Sequence, residues 1–351
     1  MKSLILLLLS PIIGLALNIV PFLDVVAVAE PTPSIPAINQ WESNMVRFGR
    51  IHCDTMSKLR TSGSAEQRLD STYYDAERVY LQIEKYTSDA SWRECAALAR
   101  TSYRDEEVLP KKGAVAGYWA FTKGLLLDYE LTGDERSRQA LIDISINGAY
   151  AADTTWLWKT ASAVSARDVG YAIMSYVNSE RVGAQPRRRK ELLIDQALDH
   201  IRQWVNRSVL YSFAERQSSD YLKPFFAAIT MQALIEAYEL KPDPRIPPAI
   251  AAILDALWDR AWLPNELAFY YESTHPTVAA PDLNLIIAPA YAWMYSRTGT
   301  PKYLERGDQI FFGGVKRAHL SGIKQFNQNY SWSFDYVKWR YMRMPHGNTN
   351  G

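Results

Sequence analysis

The chain has 351 residues and a formal net charge of +1, with about half of its residues hydrophobic and about a fifth charged. That balance fits a soluble globular protein of one large domain or two ordinary ones. It gives no electrostatic case for binding nucleic acid or an anionic membrane surface. The 21 Tyr and 11 Trp are more than a core of this size needs, and many fall in segments that read as connections. Such side chains offer a flat apolar face and a hydrogen-bonding tip, a combination suited to amphipathic ligands.

In chain order, residues 1–29 have the form of a secretory signal. Lys2 supplies the positive start, Leu4–Val20 the apolar stretch, and Ala27–Ala29 a small-residue cleavage site. An uncleaved anchor is the alternative reading, because Leu4–Leu23 is nearly long enough to span a bilayer. The expected location is periplasmic or extracellular. Residues 30–38, with Pro31, Pro33 and Pro36, read as a linker, residues 39–343 as one helical domain, and residues 344–351 as an unstructured tail. The two cysteines, Cys53 and Cys95, fall on separate predicted helices. Export permits a disulfide if those helices are neighbours, and two buried thiols are the alternative.

One short pattern recurs along the helical region: YELTGD at Tyr129–Asp134, YELKPD at Tyr238–Asp243, YSRTGT at Tyr295–Thr300 and EKYTSD at Glu84–Asp89. A degenerate fifth copy covers Tyr176–Glu180. Each follows an apolar helical run and precedes an amphipathic one. The physical reading is a tight helix–helix turn, in which a small residue ends one helix and Asp or Thr caps the next. The four repeated tyrosines Tyr129, Tyr176, Tyr238 and Tyr295 are expected to pack at this end.

Twelve helices are predicted: 39–58, 72–85, 90–108, 117–131, 134–151, 162–180, 186–206, 220–240, 244–258, 282–296, 300–316 and 332–342. Those before the short turns are apolar all round, as in Phe225–Tyr238 and Leu285–Tyr295. Those after are amphipathic, as in Arg187–Val205 with Leu193, Ala197, Ile201 and Trp204 on one stripe. An all-round apolar helix is surrounded by protein and an amphipathic one faces solvent on one side. The expected architecture is therefore all-α, an (α/α)6 toroid of six helical hairpins with inner and outer rings. An open α-solenoid is the alternative.

The outer-to-inner connections are long and gather at one end: 59–71, 109–116, 153–161, 208–219, 259–281 and 317–331. Long loops on a rigid face are where sites form. They carry Tyr73–Asp75, the Trp156/Trp158 pair after Asp153, Arg167–Asp168, Glu215–Arg216 with Asp220–Tyr221, Tyr270–Glu272 with His275 and Asp282, and the Gln325–Trp332 run ahead of Asp335.

This arrangement of paired helices, short Gly-Asp turns and long aromatic loops resembles the six-hairpin glycosidase-like superfamily and its polysaccharide-lyase relatives. The resemblance spans about residues 37–343 and is architectural; no family catalytic motif is present to transfer. It implies a carbohydrate cleft at the loop-rich end, with an oligo- or polysaccharide as the partner.

Glycoside hydrolysis needs one protonated and one ionised carboxyl across the scissile bond. The candidates are Glu272, Asp282, Asp335, Asp75 and Glu215; Asp75, Asp282 and Asp335 also suit helix capping. Candidate substrate-binding residues are Tyr74, Trp156, Trp158, Tyr270, Tyr271, His275, Gln325, Asn327, Asn329, Tyr330 and Trp332. The site is expected where the 259–281 connection meets the segment 324–335.

β-Elimination from a uronate polymer is a second reading, with Tyr330 or His275 as base and Lys324 with the neighbouring amides as carboxylate partners. A non-catalytic carbohydrate binder is a third. No metal site or cofactor is expected, since the five histidines show no ligand spacing. A monomer is expected.

Overall fold

The computed structural model describes residues 34–210 and 218–342. The signal-like segment, the start of the linker, Glu215 and the tail at 344–351 lie outside the described residues. Ile35, still within the expected linker, is already buried in the core.

The protein is all-α. Its helices are α1 (Ile38–Ser62), α2 (Ala65–Asp70), α3 (Ala76–Thr87), α4 (Trp92–Arg100), α5 (Lys123–Thr132), α6 (Glu135–Asn147), α7 (Ala166–Arg181), α8 (Arg188–Val205), α9 (Pro224–Leu240), α10 (Ile246–Ala261), α11 (Asn284–Thr298), α12 (Pro301–Arg317) and α13 (Ile323–Tyr341). A π-helical stretch, Thr101–Val108, continues α4. Two antiparallel pairs of two-residue strands lie in the connections: β1 (Val209–Leu210) with β2 (Ser218–Ser219), and β3 (Trp262–Leu263) with β4 (Ala268–Phe269).

The repeated turn pattern is the device that folds the chain into hairpins. Gly133 closes α5 in the left-handed region at φ 71°, with open space around it. Asp134 then caps α6 by accepting the Arg136 N–H at 2.9 Å. Equivalent short turns join α3 to α4, α7 to α8, α9 to α10 and α11 to α12, and each of these pairs packs together. The surrounded character of the first partner holds: α9 is buried at every position from Pro224 to Ala237, whereas α12 buries one stripe that includes Tyr303, Gly307, Ile310 and Phe311. The recurrent tyrosines pack here. The Tyr176 hydroxyl donates to the Ala151 carbonyl, and Tyr238 stacks edge-on against Trp293 while accepting from Arg297 at 2.8 Å.

The surrounded helices also contact one another. α3 meets α5, α7 meets α9, α9 meets α11, α11 meets α13, and α13 meets α3. The ends of α5 and α7 are linked by Asn178 Nδ2 donating to Thr122 Oγ1 at 2.9 Å and by Phe121 against Tyr171. The partner of α13 is α1, from the other end of the chain. The Trp41 indole N–H donates to Ser333 Oγ at 2.9 Å, the Tyr330 hydroxyl donates to the Trp41 carbonyl at 2.7 Å, and Trp41 packs on Phe334.

Two expectations about helix boundaries change. Residues 65–70, assigned to a connection, form α2, begun by a capping box in which Ser64 and Gln67 bond each other's backbone N–H. The last helix begins at Ile323 rather than near 332. Its first turns are rich in Asn, Gln and Ser, a composition typical of loops, and burial against α1, α3 and α11 overrides that preference.

Cys53 of α1 and Cys95 of α4 form a disulfide enclosing a separation of 42 residues. Replacing both by Ser is expected to cost about 3–4 kcal/mol, chiefly by freeing the unfolded chain. Urea unfolding of the double variant beside the oxidised wild type measures it; equal midpoints would remove the bond from the stability account.

Beneath α3, α4 and α5, fully buried Asp128 is ion-paired with Arg100 and accepts from Ser137. Glu77 is buried beside this cluster and neither carboxyl oxygen has a hydrogen-bond partner. Burial, then the charges of Asp128 and Asp75, push the Glu77 carboxyl well above its ordinary range. A folded-state value raised in this way stabilises the fold fully below the unfolded value of about 4.3 and loses that contribution as pH rises through the folded one. Glu77→Gln, which fixes the neutral form, should therefore melt like wild type near pH ~4 and above it near pH ~8. Melts that coincide at both pH values would show that Glu77 is not buried as a neutral acid.

Candidate functional site

The long connections converge where α3, α5, α7 and α9 begin. α7 opens with Arg167 and Asp168. An acid in the first helical turn is favoured by the dipole, and Asp168 lies flat against the backbone of Gly117: a Cβ at that glycine would come within 2.5 Å of Asp168 Oδ1. The glycine is therefore needed to seat the carboxyl. Burial pushes the Asp168 carboxyl above its ordinary value even though Arg167 Nη2 lies 3.4 Å away and opposes the shift. The Arg167 guanidinium spreads over Tyr118 at 5.0 Å and Phe226 at 5.5 Å from the ring centroids.

Tyr73 and Tyr74 reach the same face from the connection before α3. Tyr73 makes edge contacts with Tyr74, Trp119 and Phe121, and Lys324 lies 4.9 Å from its ring centroid. Burial raises the pKa of Tyr73 and Arg167 opposes it; its phenol also lies within electrostatic reach of Tyr118, Asp168 and Tyr271. These interactions bring four separate connections to one place.

The other wall comes from the approach to α9 and from the 259–281 connection. Lys223 Nζ lies 3.0 Å from Glu272 Oε2, the Tyr221 hydroxyl donates to the same oxygen at 3.3 Å, and His275 Nδ1 lies 3.3 Å from Oε1. The Glu272 carboxyl is held below its ordinary value, first by the Lys223 hydrogen bond. The Ser273 N–H and the Leu222 carbonyl, and the Leu222 N–H and Ser273 Oγ, are each bonded at 2.9 Å, which ties the two segments together. Lys223 also sits 5.6 Å from the centroid of Phe226, the ring that carries Arg167. Tyr271, 43% exposed, presents its ring beside Phe225 and Lys223. The result is an aromatic loop face that carries one carboxyl whose pKa is raised by burial and one whose pKa is lowered by its lysine partner.

Asp75 has a structural post. Tyr74 and Asp75 both adopt positive φ, 64° and 66°, an unusual conformation for two consecutive non-glycine residues. The carboxyl holds them there, with Oδ1 accepting the Arg78 N–H at 3.3 Å and Oδ2 the Gly124 N–H at 2.9 Å, so one side chain caps α3 and α5 together. Burial nevertheless raises the Asp75 pKa.

Other expected acids lie apart from the cleft chemistry. Asp335 sits inside α13 rather than at a helix start, 2.7 Å from Arg78 and 3.7 Å from Lys123; burial would raise its pKa, and these cations hold it below the ordinary value. Asp282, in a 3-10 turn before α11, accepts the His319 N–H at 2.7 Å. Glu215 falls outside the described residues.

The expected site between 259–281 and 324–335 is corrected, because most of the second segment is interior helix. Asn327 Nδ2 donates to the Ser71 and Tyr73 carbonyls, each at 3.0 Å, and Asn329 Nδ2 to the Gln325 carbonyl at 2.7 Å. Tyr330 is bonded to Trp41 and Trp332 is buried, with Lys123 4.6 Å from its ring centroid. Tyr270 is also buried, within a strand-like bridge to Ala279. Trp156 and Trp158 stand exposed, 68% and 50%, on the connection between α6 and α7. Of the expected binding residues, Tyr271 and His275 stand exposed on this face and Tyr74 is buried against Tyr73.

Lys223 and Tyr118 carry no distinguishing motif in the sequence, and Tyr73 and Arg167–Asp168 fall on the loop face there without an assigned role. Their shared signal is position: each lies within a few residues of a surrounded helix's start, after a long connection. No protein-family model matches the chain, and no curated protein matches it.

Asp75→Ala leaves two buried N–H groups without acceptors and frees a strained turn. A loss of about 2–4 kcal/mol is expected, measured by urea unfolding; a loss below ~0.5 kcal/mol would show that another group caps α3 and α5.

Proposed function

We propose that this chain is an exported carbohydrate-active protein and that its loop-face cleft hydrolyses glycosidic bonds in an oligo- or polysaccharide. The observation that carries this reading is the split between two carboxyls on one aromatic face. Asp168 is displaced toward the protonated form and Glu272 is kept ionised. Environments that push two titratable groups apart assign the acid and its partner. Asp168 is the proton donor to the leaving oxygen, and Glu272 assists attack at the anomeric carbon. Tyr271, Tyr73 and Tyr118 supply faces for the sugar rings.

The same proposal includes the architecture. The contacts of α3 with α5, and of α7 with α9, α9 with α11, α11 with α13 and α13 with α3, with Phe121 and Thr122 just ahead of α5 bridging to α7 and α1 as the partner of α13, support an (α/α)6 toroid resembling the six-hairpin glycosidase-like superfamily. The disulfide supports an oxidising compartment, in keeping with the signal-like N-terminus.

β-Elimination is the second reading, favoured by the phenol of Tyr73 near Arg167, a base beside a group able to neutralise a uronate carboxyl. One assay separates the two. A polysaccharide panel is scored for new reducing ends and for the ultraviolet absorbance of unsaturated products. Hydrolysis gives the first without the second.

Asp168→Asn and Glu272→Gln should each lower kcat about 100-fold or more while melting within a few degrees of wild type. Tyr73→Phe should leave hydrolysis largely intact. Activity should rise with pH as Glu272 ionises and fall as Asp168 loses its proton, so the active window lies between their two displaced pKa values. Full activity in both acid variants would overturn the assignment. Saturable sugar binding with no turnover on any substrate would mark the protein as a binder.

A further inference from the structure

At the opposite end of the same helices, the surrounded helices enclose a cavity of about 710 Å³. Its walls come largely from the C-terminal halves of α3, α5, α7, α9 and α13, so it opens among the short turns and not among the long connections. This size suits a small organic ligand, and the lining interleaves apolar and aromatic side chains with many charged and amide ones.

The floor is made of charges that cancel. Arg78 lies 2.7 Å from Asp335, and Lys123 is paired with Glu236 and lies 3.7 Å from Asp335. Two cations and two anions at this depth offset one another, and the rest of the lining sets Lys85, Arg181 and Lys338 against Glu130 and Glu239, so neither sign dominates strongly. The ion pairs offer donors and acceptors side by side, which suits a group that both donates and accepts.

Two amides on the lining strengthen this. Gln232 and Asn178 are 2% and 0% exposed. Gln232 Nε2 and Asn178 Oδ1 have no hydrogen-bond partner, although Asn178 Nδ2 is satisfied by Thr122. One unpartnered donor and one unpartnered acceptor in a buried lining are costly in an empty cavity. Nearer the mouth, Phe334 and Trp339 line the wall. Aromatic faces take the C–H surface of a sugar ring, while its hydroxyls serve the amides and the ion pairs.

We propose that this cavity is a second ligand site, separate from the loop-face cleft, and that its ligand is a neutral, hydroxyl-rich molecule of monosaccharide to disaccharide size. The proposal does not depend on the cleft being catalytic.

The test is isothermal titration calorimetry of the full mature protein with glucose, galactose, maltose, cellobiose and sucrose, with glucuronate and hexanoate as charged controls. Three variants locate the binding. Gln232→Leu removes the donor, Leu127→Trp fills the cavity from a partly buried wall position, and Tyr271→Ala alters only the cleft. Circular dichroism confirms the fold of each, and Leu127→Trp alone decides if Gln232→Leu does not fold.

The expected result is binding of at least one neutral sugar with a component that Gln232→Leu and Leu127→Trp each weaken tenfold or more and that persists in Tyr271→Ala. No binding by any neutral probe overturns the proposal. So does tighter binding of either charged control, or binding that survives the cavity variants and is lost in Tyr271→Ala, which would place the sugar in the cleft.

Discussion

The contact on which the rest of the molecule depends is the pairing of its first and last helices through Trp41. The indole of Trp41 is fully buried, bonds Ser333, and is covered by Tyr330 and Phe334. The residues it joins are 292 positions apart. α13 has little intrinsic reason to be a helix over its first turns, where Asn327, Gln328, Asn329, Ser331 and Ser333 compete for backbone hydrogen bonds. It is helical because α1, α3 and α11 enclose it and its amides find fixed carbonyls in neighbouring segments, as Asn327 does at Ser71 and Tyr73. Those bonds in turn fix the turn before α3, where Tyr73 and Tyr74 enter the cleft.

The two ends of the surrounded helices differ for a physical reason. At their C-termini the chain turns within a few residues, so little length is available for loops. At their N-termini the chain must cross from a half-exposed helix to the next surrounded one, and the crossing needs length. Length admits irregular backbone, such as the positive-φ pair at Tyr74 and Asp75, and polar side chains that a regular helix would exclude. The cleft follows from that asymmetry. The cavity at the other end has a different origin: polar side chains such as Lys123, Gln232 and Asp335 stand on the helices themselves, where close apolar packing would otherwise fill the interior.

The helical class, the hairpin turns and the alternation of surrounded with half-exposed helices were legible, because each rests on local chemistry or on a period of 3.6 residues. The final hairpin partner was not. That α13 lies against α1 is a long-range fact with no local signature, and the same ignorance put Asn327, Asn329, Tyr330 and Trp332 in a binding loop. The cleft was half legible. Tyr271 and Glu272 stood out as an aromatic-acid run, and Arg167–Asp168 fell on the same face without a role; only the contact with Gly117, about fifty positions earlier, shows that the Asp168 carboxyl is confined. Lys223, which sets the charge state of Glu272, was an undistinguished lysine before a proline.

The bond between Cys53 and Cys95 bears on the order of events during synthesis. The stretch that becomes α1 leaves the ribosome long before α13, the helix that covers its apolar face. Until α13 follows, that face lacks its native cover. α4 is made soon after α1, and the cysteine link permits the first helix to be tethered to the α3–α4 hairpin while α13 is still absent. A tethered helix has fewer ways to associate with another chain, and the last helix then closes onto a docked surface in place of a free one. The covalent link is thus placed where a nascent chain is most open to aggregation and proteolysis.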